Sequence, residues 1–300
     1  MNRQRLTRLC LATALLTGSL VTALPASAAT RTYSTSVPVI IQEVPSWDLA
    51  ANTNGVCTSG ATHVIKNAQG TFNPVNYATL AAACGLQVIW AFPDTVDYAT
   101  GTIYPGTIPA LVDRVKDLPN TWGYLSVKEP NWGHVTAPEI RALYRAYKAA
   151  DPAHKVMALF GDVPHFGTSS NPYTAGMTDV VMVDWYPVET SNGSDSTYLT
   201  GATRWFPRVR SKVAAVTPGV PIYLMVQTHK NLRPATHKKQ RPTQAQLWRQ
   251  VRDGFVYLRA SGIAFHVWRN RNYTVDQLRD PRMVATMATL AVQLKAGTFR

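Results

Sequence analysis

"GYLSVKEPNWGHV", residues 123–135, runs from an apolar stretch into a charged pair, a proline and a glycine. It reads as a strand from Tyr124 to Val127 that ends at Lys128 and Glu129, because the following proline cannot donate to a ladder. The next segment, "APEIRALYRAYKAADP" (137–152), changes period: Ile140, Leu143, Tyr144 and Tyr147 recur at spacings of three and four, the mark of one helix face. Thr136 with Glu139 three residues on forms a capping box, and Asp151-Pro152 ends the helix. "KVMALF" (155–160) is then apolar after its first residue. Strand, helix and strand in this order require a parallel crossover unit.

The same rhythm extends in both directions. Eight candidate strands are present: "VPVIIQEV", "THVIKN", "LQVIWAF", "WGYLSV", "KVMALF", "DVVMVDWYP", "IYLMVQT" and "IAFHVWR". They are apolar at nearly every position, as strands covered on both faces are. A second helix, "TQAQLWRQVRDGFVYLRASG" (243–262), has Thr243 as its N-cap and Gly262 as its expected stop. Eight strands with interleaved helices match a (β/α)8 TIM barrel, which typically takes ~250 residues. A doubly wound open sheet would want a glycine-rich phosphate turn after its first strand, and "VPVIIQEVPSWDLA" has none.

The N-terminal residues set the compartment. Arg3, Arg5 and Arg8 precede the apolar run Leu9 to Leu24 and the small-residue triplet Ala26-Ser27-Ala28, the pattern of a cleaved secretory signal. Residues 1–28 are therefore expected to be removed, leaving 29–300 as a single extracellular TIM-barrel domain. The apolar run, broken by Thr13, Thr17, Gly18, Ser19 and Thr22, falls short of the ~20 predominantly apolar residues of a span, so no stable membrane insertion is expected. Cys10 leaves with the signal. The remaining Cys57 and Cys84 are expected to pair, as an even number does in an exported chain. One precedes the second strand and the other the third, so the bridge would staple the N-terminal face of the barrel and contribute ~3 kcal/mol.

In this fold, catalytic groups project from the C-terminal ends of the strands. Those ends carry Glu43 and Trp47, Lys66 and Asn67, Trp90 and Asp94, then Lys128, Glu129 and Asn131. The remaining four carry Asp162 and His165, Asp184 to Tyr186, Gln227 and His229, and Trp268 to Asn270. Carboxylates interleaved with aromatic rings suit sugars, whose ring faces stack on Trp and Tyr while their hydroxyls need acceptors and amides. Glycosidic cleavage uses one carboxyl as acid and a second to attack or to activate water. Glu129 is the first candidate and Asp184 the second. Glu43, Trp90, Asn131, Tyr186, Gln227 and Trp268 are the candidates for substrate binding. Strands four and six are not neighbours, so a spacing of ~6.5 to 9.5 Å between the two carboxyls is expected, that of an inverting pair.

At this point the sequence resembles the glycosidase superfamily of TIM barrels, in which a Glu-Pro pair closes strand four and the glutamate is the general acid/base. "WGYLSVKEPNWG", "YKAADPAHKV" and "DVVMVDWYPV" are similar to secreted bacterial members. The resemblance implies the acid/base role for Glu129. Two positions depart from it: Lys128 stands where many such enzymes have Asn, and Gln227 stands where retaining members have a second glutamate. A neutral amide cannot be a nucleophile, though it can hydrogen-bond a sugar hydroxyl. An ammonium beside Glu129 would lower the pKa that a general acid needs raised, unless strand alternation turns Lys128 away.

The chain carries 30 Lys and Arg against 17 Asp and Glu, a net +13 that becomes +10 when the three signal arginines leave. Such a charge draws a protein to anionic surfaces. The loop "THKNLRPATHKKQRP" (228–242) concentrates five cations and no acid after strand seven, a solvated charge run or a rim for uronate, phosphate or sulfate groups. The expected partner is carbohydrate, an anionic polymer among the choices; no nucleic-acid motif is present. No H-x-H, H-E-x-x-H or C-x-x-C pattern, cofactor fingerprint or G-x-S-x-G elbow occurs, so neither metal nor cofactor is expected. Two functions fit: a secreted glycoside hydrolase, or a glycosidase-fold protein that binds glycans without cutting them.

Overall fold

The computed structural model describes residues 37–70, 72–132, 134–188, 195–229, 241–268 and 280–296, with the side chains of Asn54 and of 195–200 excepted. The expected signal segment 1–28, residues 230–240 of the basic loop, and Arg269 and Asn270 lie outside the described residues. All described residues fall within one compact unit, Thr32–Arg300.

Eight strands close into a barrel: β1 (Val39–Gln42), β2 (His63–Asn67), β3 (Gln87–Ala91), β4 (Thr121–Lys128), β5 (Lys155–Phe160), β6 (Val180–Trp185), β7 (Ile222–Gln227) and β8 (Gly262–His266). Every neighbouring pair is parallel, and β8 pairs with β1 to complete the circle. The helices are α1 (Ser46–Ala50), α2 (Pro74–Ala83), α3 (Ile108–Asp113), α4 (Ala137–Ala150), α5 (Asp195–Val216), α6 (Gln244–Asp253) and α7 (Pro281–Ala296). The expected (β/α)8 barrel is the observed fold.

Because side chains alternate along a strand, each strand feeds two cores. One set of residues, including Ile40, Ile65, Ile89, Leu125, Met157 and Met182, plugs the barrel interior. The opposite set, including Trp90, Tyr124, Phe160 and Trp268, packs outward against the helices. The capping box of Thr136 with Glu139 forms on α4 as read, and Thr243 is the N-cap of α6 as read, with Gln246 completing a second box there. The stop of the second helix differs. α6 passes into a π-helical turn, Gly254–Leu258, and Arg259 in the left-handed conformation (φ 57°) ends it, while Gly262 is already the first residue of β8. There Tyr223 packs so close that a Cβ on Gly262 would lie 2.9 Å from it.

Cys57 and Cys84 are disulfide-bonded, with Cα atoms 4.5 Å apart. One sits in the short helical turn before β2 and the other caps the C-terminus of α2 before β3, so the bridge lies at the N-terminal face. The opposite face is left to the strand ends that carry the polar groups.

Candidate functional site

Above the apolar plug, the lumen turns polar. Gln42, Asn67, Asp184 and Gln227 each follow a plug residue by two positions on their strands, so alternation turns them inward. Lys128 joins them by a different route. The register of β4 against β5 slips between Leu125 and Val127, so that Leu125 faces Met157 but Lys128, not Val127, faces Leu159. Leu159 is a plug residue. This bulge at Ser126 reverses the alternation and aims Lys128 into the barrel.

Glu129 follows in a left-handed backbone conformation, φ 44°, while its amide still pairs with Leu159 O at 2.7 Å. Non-glycine residues rarely hold this conformation; it costs on the order of 1–3 kcal/mol and gathers at functional sites. Glu43, at the end of β1, and Asp162, after β5, adopt it too, with φ 60° and 50°. The turn sends the Glu129 side chain sideways across Gly161: a Cβ built there would lie 2.8 Å from Glu129 Oε1 and 3.0 Å from its Cγ. Beyond Gly161 is β6, and there the Glu129 carboxyl meets that of Asp184 in a hydrogen bond.

Two carboxyl groups can hydrogen-bond only if a proton stands between them. Their contact corrects the expected wide spacing. β4 and β6 are indeed not neighbours, but the intervening strand presents a glycine, and nothing holds the acids apart. Burial raises the pKa of Glu129; the bond to Asp184, the charge of Lys128 and a hydrogen bond from Trp132 act in the opposite sense and do not overcome it. Asp184 itself is buried.

Lys128 is directed elsewhere. Its ammonium donates to Asn67 Oδ1 at 2.8 Å and stands 3.7 Å from Glu43 Oε1, which also accepts from Asn67 Nδ2 at 2.8 Å. Burial pulls its pKa down, against the raising effect of Glu43 and then Glu129. The backbone N–H of Lys128 donates to the Tyr98 hydroxyl at 2.8 Å, and burial pushes that phenol up to about 12.

On the far side of the lumen, Tyr186 stacks on His266 with centroids 5.2 Å apart and meets His229 edge-on at 4.9 Å. Burial, with the nearby His229 and Lys128, holds the His266 pKa well below the ordinary imidazole value, and its Nδ1 is bonded to Gln42 Oε1. Gln227 faces the lumen with its amide engaged: Oε1 accepts from Val188 N at 2.9 Å, and Nε2 donates to Val188 O and His229 O at 3.1 and 3.2 Å. It ties two strand-end loops together.

Two of the expected sugar platforms are not on the lumen side. Trp90 is 0% exposed, in register with Lys66 and Tyr124, and its indole donates to Thr121 Oγ1 at 2.9 Å in the barrel–helix layer. Trp268, also 0% exposed, donates to Asp48 Oδ2 at 2.9 Å. The exposed indoles of the C-terminal face are Trp132, 65% exposed, and Trp47, 51% exposed. Trp132 also donates to Glu129, so it is joined to the carboxyl pair. Asn131, beside it, is half-buried, and its Oδ1 accepts no hydrogen bond from the described residues. Parity along β3 could have excluded Trp90 from sequence, since Ile89 and Ala91 cannot share a face with it. No local signal marks Gly161.

Among the described residues no group of His, Cys, Asp and Glu is arranged to hold a metal ion. No helix among them is long and apolar enough to cross a membrane.

No protein-family profile matches the sequence, and no curated protein matches it. Solved structures do match the fold. GH5_18 from Streptomyces cattleya in complex with GlcNAc is 12% identical at a TM-score of 0.60, over 88% of this chain and 81% of that one. The GH2 β-galacturonidase from Eisenbergiella tayi bound to galacturonate is 10% identical at 0.59, over 88% of this chain and 51% of that one. The β-glucuronidase from Ruminococcus gnavus in complex with D-glucaro 1,5-lactone is 12% identical at 0.58, over 87% and 50%. The chain thus spans about half the length of the last two. It has the TIM-barrel fold of these glycoside hydrolases, and the resemblance read from its strand-four segment stands at the level of fold.

Proposed function

We propose that this chain is a secreted glycoside hydrolase-like protein acting on a polysaccharide or oligosaccharide, with residues 1–28 as its signal peptide and Glu129 as general acid/base. The observation that carries the reading is the buried Glu129, hydrogen-bonded to Asp184 at the C-terminal end of the barrel, whose pKa burial raises in the direction a general acid needs. Asp184 acts through Glu129. Carboxyls in direct contact are closer than the ~5 to 5.5 Å of a nucleophile and its acid partner, so Asp184 keeps the proton on the pair and does not attack carbon. The pair protonates the glycosidic oxygen as the bond to the anomeric carbon breaks, and water adds to that carbon. The water's released proton goes to solvent, from which the pair is recharged. Trp132 and Trp47 supply exposed ring faces for sugar stacking, and Asn131 Oδ1 an acceptor for a hydroxyl. The positive charge of the chain and the uronate-related ligands of two structural neighbours favour an acidic sugar.

The test is a screen of the protein against polysaccharides, scoring reducing-end release and retention on the polymer separately. Release is expected, and Glu129→Gln should lower turnover by ~100-fold or more, the usual contribution of general acid/base catalysis. Unchanged turnover removes Glu129 from the mechanism. Retention without release across the panel supports the second reading, a sugar-binding barrel without catalysis. One observation favours that reading: the strand-seven position is an amide fully engaged in tying loops, and no carboxylate replaces it there.

A further inference from the structure

We infer that the flank of the barrel formed by α5 and α6 is a binding surface for an acidic polysaccharide chain, separate from the strand-end site. From Gly201 to Val216, α5 carries Arg204, Arg208, Arg210 and Lys212 and no acid. α6 adds Arg249 and Arg252, Arg259 closes the π-helical turn after it, and the one acid of this stretch, Asp253, is buried. The two elements are in contact, with Arg210 Nη1 donating to Tyr257 O at 3.4 Å.

Several cations elsewhere are neutralised. Lys116 pairs with Asp113 at 2.7 Å, Lys148 with Asp179 at 3.5 Å, and Arg241 and Arg282 with Asp280 at 3.0 and 2.9 Å. Among the described residues, neither Arg204 nor Arg208 stands within salt-bridge distance of a carboxylate. Both guanidinium groups instead lie over the Trp205 ring, 4.4 and 4.6 Å from its centroid.

That ring changes what the cations can do. Arg204 and Arg208 are exposed, one helical turn or ~6 Å apart, and cation–π contact restrains both side chains before any ligand arrives, which lowers the entropy cost of using them. Lys212 continues the stripe by another turn, with its stem laid on Gly167, where a Cβ would come within 2.8 Å of Lys212 Cε. A row of restrained cations along one helix suits a linear polyanion, and the guanidinium fork suits carboxylate or sulfate oxygens. Nucleic acid fits less well. Trp205 already carries two guanidinium groups over its ring and offers no platform for base stacking.

This surface does not depend on the carboxyl pair cutting anything, so its test separates from that of the proposed activity. The full chain is titrated with polygalacturonate at rising salt, with uncharged dextran, single-stranded RNA and anionic phospholipid vesicles as parallel arms. Polygalacturonate should bind best. Arg204→Gln/Arg208→Gln should weaken it ~10-fold at low salt and reduce the log–log salt slope by about 1.4, taking ~0.7 per charge as for a single-stranded polyanion. The charge-matched Lys116→Gln/Lys295→Gln should stay within about twofold, the change expected of a screened, distant charge. Equal losses in the two pairs, no loss in either, or tighter binding of RNA or vesicles would overturn the assignment. If the glutamine pair does not fold, Arg204→Lys/Arg208→Lys is read instead: the salt slope should persist while affinity falls with the loss of the guanidinium fork, and unchanged affinity overturns the proposal.

Discussion

At Gly161 the missing side chain is what allows Glu129 to reach Asp184 from a strand two places away. A methyl group there would stand 2.8 Å from Glu129 Oε1, and since the clash is with the far end of a flexible side chain, the carboxyl moves and the backbone does not. Gly161→Ala should therefore part the carboxyl pair, lowering turnover on the polysaccharide cleaved in the screen by ~100-fold, as a displacement of about 1 Å can. Thermal unfolding should shift by less than about 2 °C, within the small stability change expected of a substitution the backbone accommodates. A variant with wild-type turnover would show that the contact with Asp184 is dispensable. Glu129 was legible from its place before Pro130 at a strand end. Its conformation was not, because a left-handed φ on a glutamate is imposed by the surrounding strands and has no signature in a Lys-Glu-Pro triplet.

Among the elements, β4 decides the site. A plain alternation from Leu125 would aim Val127 into the lumen and Lys128 at the helices; the bulge at Ser126 does the reverse and gives the ammonium to Asn67 and Glu43. That arrangement resolves the conflict expected between Lys128 and an acid at Glu129. The lysine is near enough to be felt but is bonded elsewhere, and burial dominates the carboxyl. Helix boundaries were more legible than strand register, since caps are local: Thr136–Glu139 is read from a three-residue spacing and Thr243 from its place before the helical pattern. The disulfide joins elements at the opposite end. Its loop spans a separation of 27 residues, so reduction should destabilise the fold by about 3 kcal/mol and lower the melting temperature by roughly 5–10 °C. Polymer retention below the transition should persist in the reduced protein; its loss on reduction would mean that the bridge shapes the strand-end site.

For the molecule as a whole, the buried histidines set the response to acid. His63, bonded through Nδ1 to Thr62 Oγ1 at 2.7 Å and packed edge-on against Trp122, has its pKa lowered by burial from 6.5 to about 4. His266 is lowered as well, again chiefly by burial. As pH falls below 6.5, the unfolded chain takes protons that the folded chain refuses, so stability drops between pH 6.5 and about 4, by roughly 3 kcal/mol for His63 alone. Glu129, raised by burial, works in the other sense and costs stability as pH rises above the ordinary carboxylate range. Melting temperature should fall from pH 6.5 to 4, and His63→Asn should flatten that fall; an unaltered slope would exclude His63 as its source. The sequence by itself determined the barrel, the capped helices, the paired cysteines and the strand ends at which polar groups gather. These follow from periodicity and nearest-neighbour chemistry, which any short window carries. Only the tertiary structure decided which of those groups meet. A bulge in β4, a left-handed turn at its end and a bare glycine after β5 bring Glu129 to Asp184 on β6, and each depends on register between segments far apart in the chain.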